Sequence, residues 1–260
     1  MLISPAFQTI LTPTTPRVKL LDVVSDATDL TTYTFTAANI GDFGGTASDA
    51  GFTIVNSVYV RASSKKYIVA CVHGQDSATV FTVSSCTIGG VAGTKKSDRG
   101  GSTNAINTAF FYWDTAALDK ISNTDVVVTW SEAITGCTVG LLEVENVGVL
   151  DAGAGTASAT STGNIQVSLT GSITATDRYP VAIVASTIDN TAETFQVTSL
   201  SSGGLGNKSW TILYEGNNGE FGYAAAWTYY SGYPAENSVA TALVTWSGTG
   251  AGDASMFGIA

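Results

Sequence analysis

Charge is scarce in this sequence. Asp, Glu, Lys and Arg make up 12% of its 260 residues, about half the usual share for a soluble protein. Ser, Thr, Asn and Gly must cover the surface instead, as in rigid β proteins and in proteins largely covered by neighbours. Among the few charges acids outnumber bases, 21 to 11, and the formal net charge is −10. Affinity for nucleic acid comes from basic side chains that displace counterions from phosphates, so no DNA or RNA partner is expected. An anionic membrane surface is disfavoured for the same reason. No run approaches the ~20 apolar residues of a membrane-spanning helix. Residues 1–5 show neither the basic start nor the apolar core of a secretory leader.

Cysteine and histidine are also rare. Cys71, Cys86 and Cys137 are the whole cysteine complement, too sparse for a disulfide framework, and they read as small buried side chains. His73 is the single histidine. A zinc site needs several His or Cys ligands, and Cys71, His73 and Cys86 lack the usual spacing. A Ser-His-Asp arrangement needs that one imidazole beside a nucleophile and an orienting acid; Asp76 is near, but no nucleophile-elbow motif is present. Helical periodicity is nearly absent, leaving at most one turn at 114–120. Three of the five prolines, Pro5, Pro13 and Pro16, lie near the start. Proline fixes φ and removes a donor, so residues 1–30 are expected to form an extended arm.

What the sequence does have is a repeated pattern. Val128-Thr129-Trp130-Ser131 recurs as Val244-Thr245-Trp246-Ser247, an offset of 116. Phe81-Thr82-Val83-Ser84-Ser85 answers to Phe195-Gln196-Val197-Thr198-Ser199 at 114, and Tyr67-Ile68-Val69-Ala70 to Tyr179-Pro180-Val181-Ala182 at 112. Phe111 and Trp113 fall opposite Trp227 and Tyr229 at 116. A drifting offset with preserved order is the mark of a decayed tandem duplication. Alternating runs rich in strand formers recur every 8–12 residues, about seven to a repeat, as in sandwiches and jelly rolls. The expected fold is all-β: two tandem antiparallel sandwiches, jelly-roll-like, in close contact or fused into one body. Residues 31–148 form the first repeat, with an insertion at about 41–62 that has no counterpart. Residues 149–163, rich in Gly, Ala, Ser and Thr, read as a linker, and residues 164–260 as the second repeat. Trp130, Trp246, Phe111, Val128 and Val244 are expected core residues.

Chemistry-bearing constellations are few. Asp22, Asp26 and Asp29 do not match a calcium loop and lack its glycine. Glu143 and Glu145 share one strand face, as paired glycosidase carboxylates or a solvated face would require. Gly248 to Asp253 reads as a hairpin loop. No metal, cofactor or catalytic set is implied. Trp227, Tyr229, Tyr230 and Tyr233 cluster near one strand end, with Trp227 and Tyr229 on one face and Tyr230 on the other. They could stack on sugar rings or form a subunit contact, where Trp and Tyr are enriched.

The strand at 67–72, His73-Gly74, and then Phe81 to Thr94 with its Thr87-Ile88-Gly89-Gly90-Val91-Ala92 centre, resemble a pattern in structural proteins of tailed bacteriophages. There such a strand is followed by an aromatic one, here Ala109 to Trp113, then by strands like those ending at Trp130 and spanning 139–144. The resemblance covers roughly residues 30–147 and, more weakly, the second half. It implies a virion component without catalytic residues: a capsid decoration or cement subunit, a head fibre, or a neck or tail part. Its partners would be the major capsid protein or other virion proteins and copies of itself, a trimer being the expected assembly. A surface glycan is the partner in the rival reading, a receptor-binding module.

Overall fold

Short runs of β-branched and aromatic residues, broken by Gly, Ser, Asn and Asp, make strands, and little else forms here. A computed structural model describes residues 15–37, 65–76, 80–99, 105–147, 150–159, 163–169, 181–190, 194–199, 209–229, 241–248 and 250–259. The insertion expected at 41–62 lies outside them. The first half supplies β1 (Arg17–Asp26), β2 (Leu30–Thr36), β3 (Lys65–Gln75), β4 (Val83–Ile88), β5 (Val91–Ala92), β6 (Thr94–Asp98), β7 (Ile106–Trp113), α1 (Thr115–Leu118), β8 (Asp125–Ile134) and β9 (Gly136–Val147). The second supplies β10 (Leu150–Ala159), β11 (Asn164–Ser168), β12 (Val181–Ile188), β13 (Phe195–Ser199), β14 (Thr211–Asn217), β15 (Gly222–Tyr229), β16 (Thr241–Trp246) and β17 (Gly252–Ile259). The single turn of helix is capped by Asp114, whose Oδ1 accepts from the Ala117 N–H at 3.0 Å.

The strands pair antiparallel in four sheets. The first half has an inner sheet, β1-β9-β3-β7-β6, and an outer one, β2-β8-β4-β5. The second has an inner sheet, β10-β17-β12-β15-β14, and an outer one, β11-β16-β13. Among the described residues the orders correspond strand for strand, β5 alone having no counterpart. Each half is thus a sandwich, and the two inner sheets face one another.

Burial follows from this layering. Central strands of the inner sheets are covered on both faces, so β12 and β17 are buried at every position. Their sequences are correspondingly continuous in small and apolar residues. Outer strands alternate: in β2 the residues Tyr33 and Phe35 point inward while Thr32, Thr34 and Thr36 face out. Three cores result. One lies within the first sandwich around Trp130, Phe111 and Val128; one lies within the second around Trp246 and Val244. The third fills the seam between the sandwiches, with Val69, Phe110 and Leu142 from one side and Ile183, Phe257 and Ile259 from the other. All five expected core residues are buried.

The two tryptophans sit in matching slots. A Cβ on Gly74 would come within 2.5 Å of Trp130 Cη2, and one on Gly252 within 2.7 Å of Trp246 Cη2. Gly74 pairs with Cys137 across β3 and β9, and Ile188 with Gly252 across β12 and β17. The glycine that admits the ring has therefore changed strands between the halves. The indole N–H of each ring is buried without a hydrogen-bonding oxygen or nitrogen, so both rings are held by packing. Gly74→Ala is expected to destabilise the fold by about 1–3 kcal/mol through overpacking, read as a lower urea midpoint with unchanged slope.

Several sequence-based boundaries need correction. Residues 17–26, expected in the arm, form β1, the outer strand of an inner sheet paired along β9. Residues 150–159, expected in the linker, form β10, paired to β17. Small residues suit β10 because it runs close over β11: a Cβ on Gly155 would collide with the Ser168 carbonyl. Gly248 to Asp253 is not a hairpin loop; it joins β16 of the outer sheet to β17 of the inner one. The Phe111–Trp227 alignment is also off by one. Phe111 faces its own sandwich core and Trp227 the seam, and a one-residue slip reverses every face. The Phe81–Phe195 match shifts as well. Ser131 N–H donates to the Thr82 carbonyl at 2.9 Å and Ser247 N–H to the Thr194 carbonyl at 3.1 Å, which sets Thr82 against Thr194.

Candidate functional site

The polar residues of the fold collect at one end of the seam. Alternation along β3 turns Tyr67, Val69, Cys71 and then His73 toward the second sandwich. Tyr67 and Val69 pack among the apolar residues of the seam, and Cys71 hydrogen-bonds with Tyr214. His73, fully buried, meets hydroxyls. Its Nδ1 lies 3.0 Å from Thr187 Oγ1 and its Nε2 2.9 Å from Tyr214 Oη. Thr108 and Thr187 share a 2.7 Å hydrogen bond, and Ser255 donates to the Thr108 carbonyl at 2.7 Å. At the rim Gln75 Nε2 donates to Asp189 Oδ1 at 2.6 Å.

These contacts have a symmetry. With the tryptophan slots taken as equivalent, Gly74 corresponds to Ile188, hence His73 to Thr187 and Gln75 to Asp189. Each residue bonds to its own counterpart, as at the two-fold axis of a dimer. The seam is therefore quasi-isologous, with β3 and β12 running in the same direction across it. Tyr214 departs from the symmetry by inserting its ring where Gly140 leaves room; a Cβ on Gly140 would collide with that ring.

Burial disfavours charge in this cluster. It holds the His73 imidazole down to about 3, while the neighbouring Ser186 carbonyl pulls weakly the other way. Burial pushes the Cys71 thiol up to about 12. Tyr214 is raised well above its ordinary range by burial and by Cys71. Asp189 is raised by partial burial, opposed by the hydrogen bond from Gln75. In its closed form the seam holds His73 as a neutral imidazole and Cys71 as a thiol, both fully buried.

The other candidates are dispersed. Glu143 and Glu145 stand directly opposite Lys19 and Arg17 in the β9–β1 ladder, so they oppose basic neighbours rather than each other. Asp26 Oδ1 accepts from the Thr28 N–H and hydroxyl and organises the turn before β2. Cys86 and Cys137 lie in the first sandwich core and Cys71 in the seam, all as free thiols. Among the described residues no three His, Cys, Asp or Glu side chains converge as a metal set. Trp227 and Tyr229 do share a face: their rings stack at 5.6 Å and 23°, partly buried at the seam. Tyr230 and Tyr233 lie outside the described residues. The His73 cluster carries no local signal, because Thr187 and Tyr214 are more than 100 residues away in the chain. No family model, curated protein or solved structure matches this chain.

Proposed function

We propose that this protein is a non-enzymatic structural subunit of a tailed-phage virion, an outer capsid decoration or cement subunit that acts through contact area. What carries the reading is the sealed seam. The only histidine is locked between two sandwiches, its partners neutral hydroxyls, and the four stacked sheets form one thick slab. Such a slab resists deformation because its central strands, such as β12 and β17, are packed on both faces. The outer sheets present hydroxyls rather than charge, as at Thr32, Thr34 and Thr36, which suits a surface to be covered by neighbours. We further infer that an ancestral sandwich was copied, which matching strand orders and the quasi-isologous seam support. The partners would be the major capsid protein and further copies of this chain, assembled as a trimer, and no cofactor is needed. Electron microscopy of purified particles, with an antibody against this chain, should place it regularly over the head surface. Its absence from purified particles would refute the assignment.

A second reading has its own observation, the stacked and partly exposed Trp227–Tyr229 pair. Aromatic faces can receive sugar rings, which would make the chain a carbohydrate-binding receptor module on a tail, neck or head fibre. On a glycan array this reading predicts selective binding that Trp227→Ala lowers at least ten-fold. An array without signal above background would reject it.

A further inference from the structure

Both ring nitrogens of His73 bond to the opposite sandwich, and proton directions follow from the neighbours. We take Thr187 to donate its one hydroxyl hydrogen to the Asn107 carbonyl at 2.9 Å, with Thr108 donating to Thr187 at 2.7 Å. Its oxygen must then accept from His73 Nδ1–H, 3.0 Å away. Nε2 is left as the acceptor for the Tyr214 hydroxyl at 2.9 Å. A second proton on the ring then goes to Nε2, against the Tyr214 hydroxyl, which also hydrogen-bonds with Cys71.

We propose that this cluster is an acid-sensitive latch: protonation of His73 releases the polar end of the seam and admits solvent to Cys71, while each sandwich keeps its own core. An imidazolium held there would be sealed from water without a carboxylate bonded to it. The titratable groups facing it are Cys71 on its own strand, Tyr214 on β14, Tyr223 on β15 with its ring 5.7 Å away, Asp253 beside Thr187 in the β12–β17 ladder, and Asp189 at the end of β12. Neither carboxylate hydrogen-bonds to the ring, whose two nitrogens are taken by Thr187 and Tyr214. The thiol and phenols are neutral throughout the acid range. No hydrogen-bonded carboxylate is therefore in place to receive the imidazolium.

The direction of the effect is fixed by the depressed proton affinity of the buried ring. Folded, it titrates near 3, against 6.5 when exposed. The open form therefore takes up its proton first. The closed seam has its full advantage above the exposed value and loses it progressively as pH falls toward the folded one, about ten-fold in the closed-to-open ratio per pH unit. Release stays local because the other end of the seam is apolar. Val69, Phe110, Leu142, Ile183 and Phe257 gain no charge and stay in contact.

The three cysteines report on this directly. Cys71 is two residues from His73 on the same face, whereas Cys86 and Cys137 point into the first sandwich core. Full-length protein would be treated with a pyridyl disulfide reagent, which exchanges with thiols in acid, at pH 7 and pH 4, and each site quantified by peptide mass spectrometry. All three thiols should resist at pH 7. At pH 4 Cys71 should react at least about ten-fold faster than the other two, and His73→Gln should abolish that difference. In the wild type the one imidazole Cε1–H resonance should show no titration near pH 6.5, a measurement that stands even if the variant does not fold. Equal labelling of all three thiols at pH 4 overturns the latch, since that is global unfolding. So does a Cys71 that stays inert, a variant that labels like wild type, or a ring that titrates normally in the closed protein.

Discussion

Trp130→Ala should lower the free energy of unfolding by about 3–5 kcal/mol, the usual range for removing a large buried aromatic. For a chain of this size that is a fall in Tm of roughly 10 °C. The ring is 1% exposed, meets Phe81 edge-on at 5.3 Å, and rests on the bare backbone of Gly74. Nothing nearby can collapse into the space it leaves, because the neighbouring strands are tied into two ladders. Trp246→Ala should act in the same direction at the lower end of that range, since its ring is 7% exposed and, among the described residues, meets no aromatic ring as Trp130 meets Phe81. Guanidinium unfolding of both variants checks the pair. Unshifted midpoints would remove the tryptophans from the core.

Phe110→Ala and Phe257→Ala form the second strong prediction. The two rings meet across the seam at 4.8 Å and 67°, one from each sandwich. Each truncation should cost about 3–5 kcal/mol, and the double variant should cost less than the two single losses together by about 0.5–1.5 kcal/mol, the range for an edge-to-face pair. That coupling belongs to the seam alone, because neither ring enters a sandwich core. A cycle that closes with zero coupling would mean that the sheets do not touch there in solution.

Much of the fold was legible because burial leaves its period in the sequence. The continuous run from Tyr67 to Val72 could only be a strand covered twice, and Tyr33-Thr34-Phe35-Thr36 could only be covered once. Edge strands were less legible. β1 mixes Arg17, Lys19, Asp22 and Asp26 with its apolar residues, since one side of it lies at the open edge of a sheet. β10 is built of residues small enough to pass over β11, and small residues read as linker. Corresponding residues were displaced where a single-residue shift cannot be seen in spacing, as between Phe111 and Trp227. The candidate site was invisible for a different reason. His73 looks like a strand-end histidine, and the fact that gives it meaning is the juxtaposition with Thr187 and Tyr214, which only the stacking of two inner sheets supplies.

That stacking is tested most directly by scanning calorimetry of the intact chain at neutral pH. If the seam joins the two sandwiches into one body, the protein melts in a single transition whose van't Hoff and calorimetric enthalpies agree. Two separable transitions, one for each half, would contradict it.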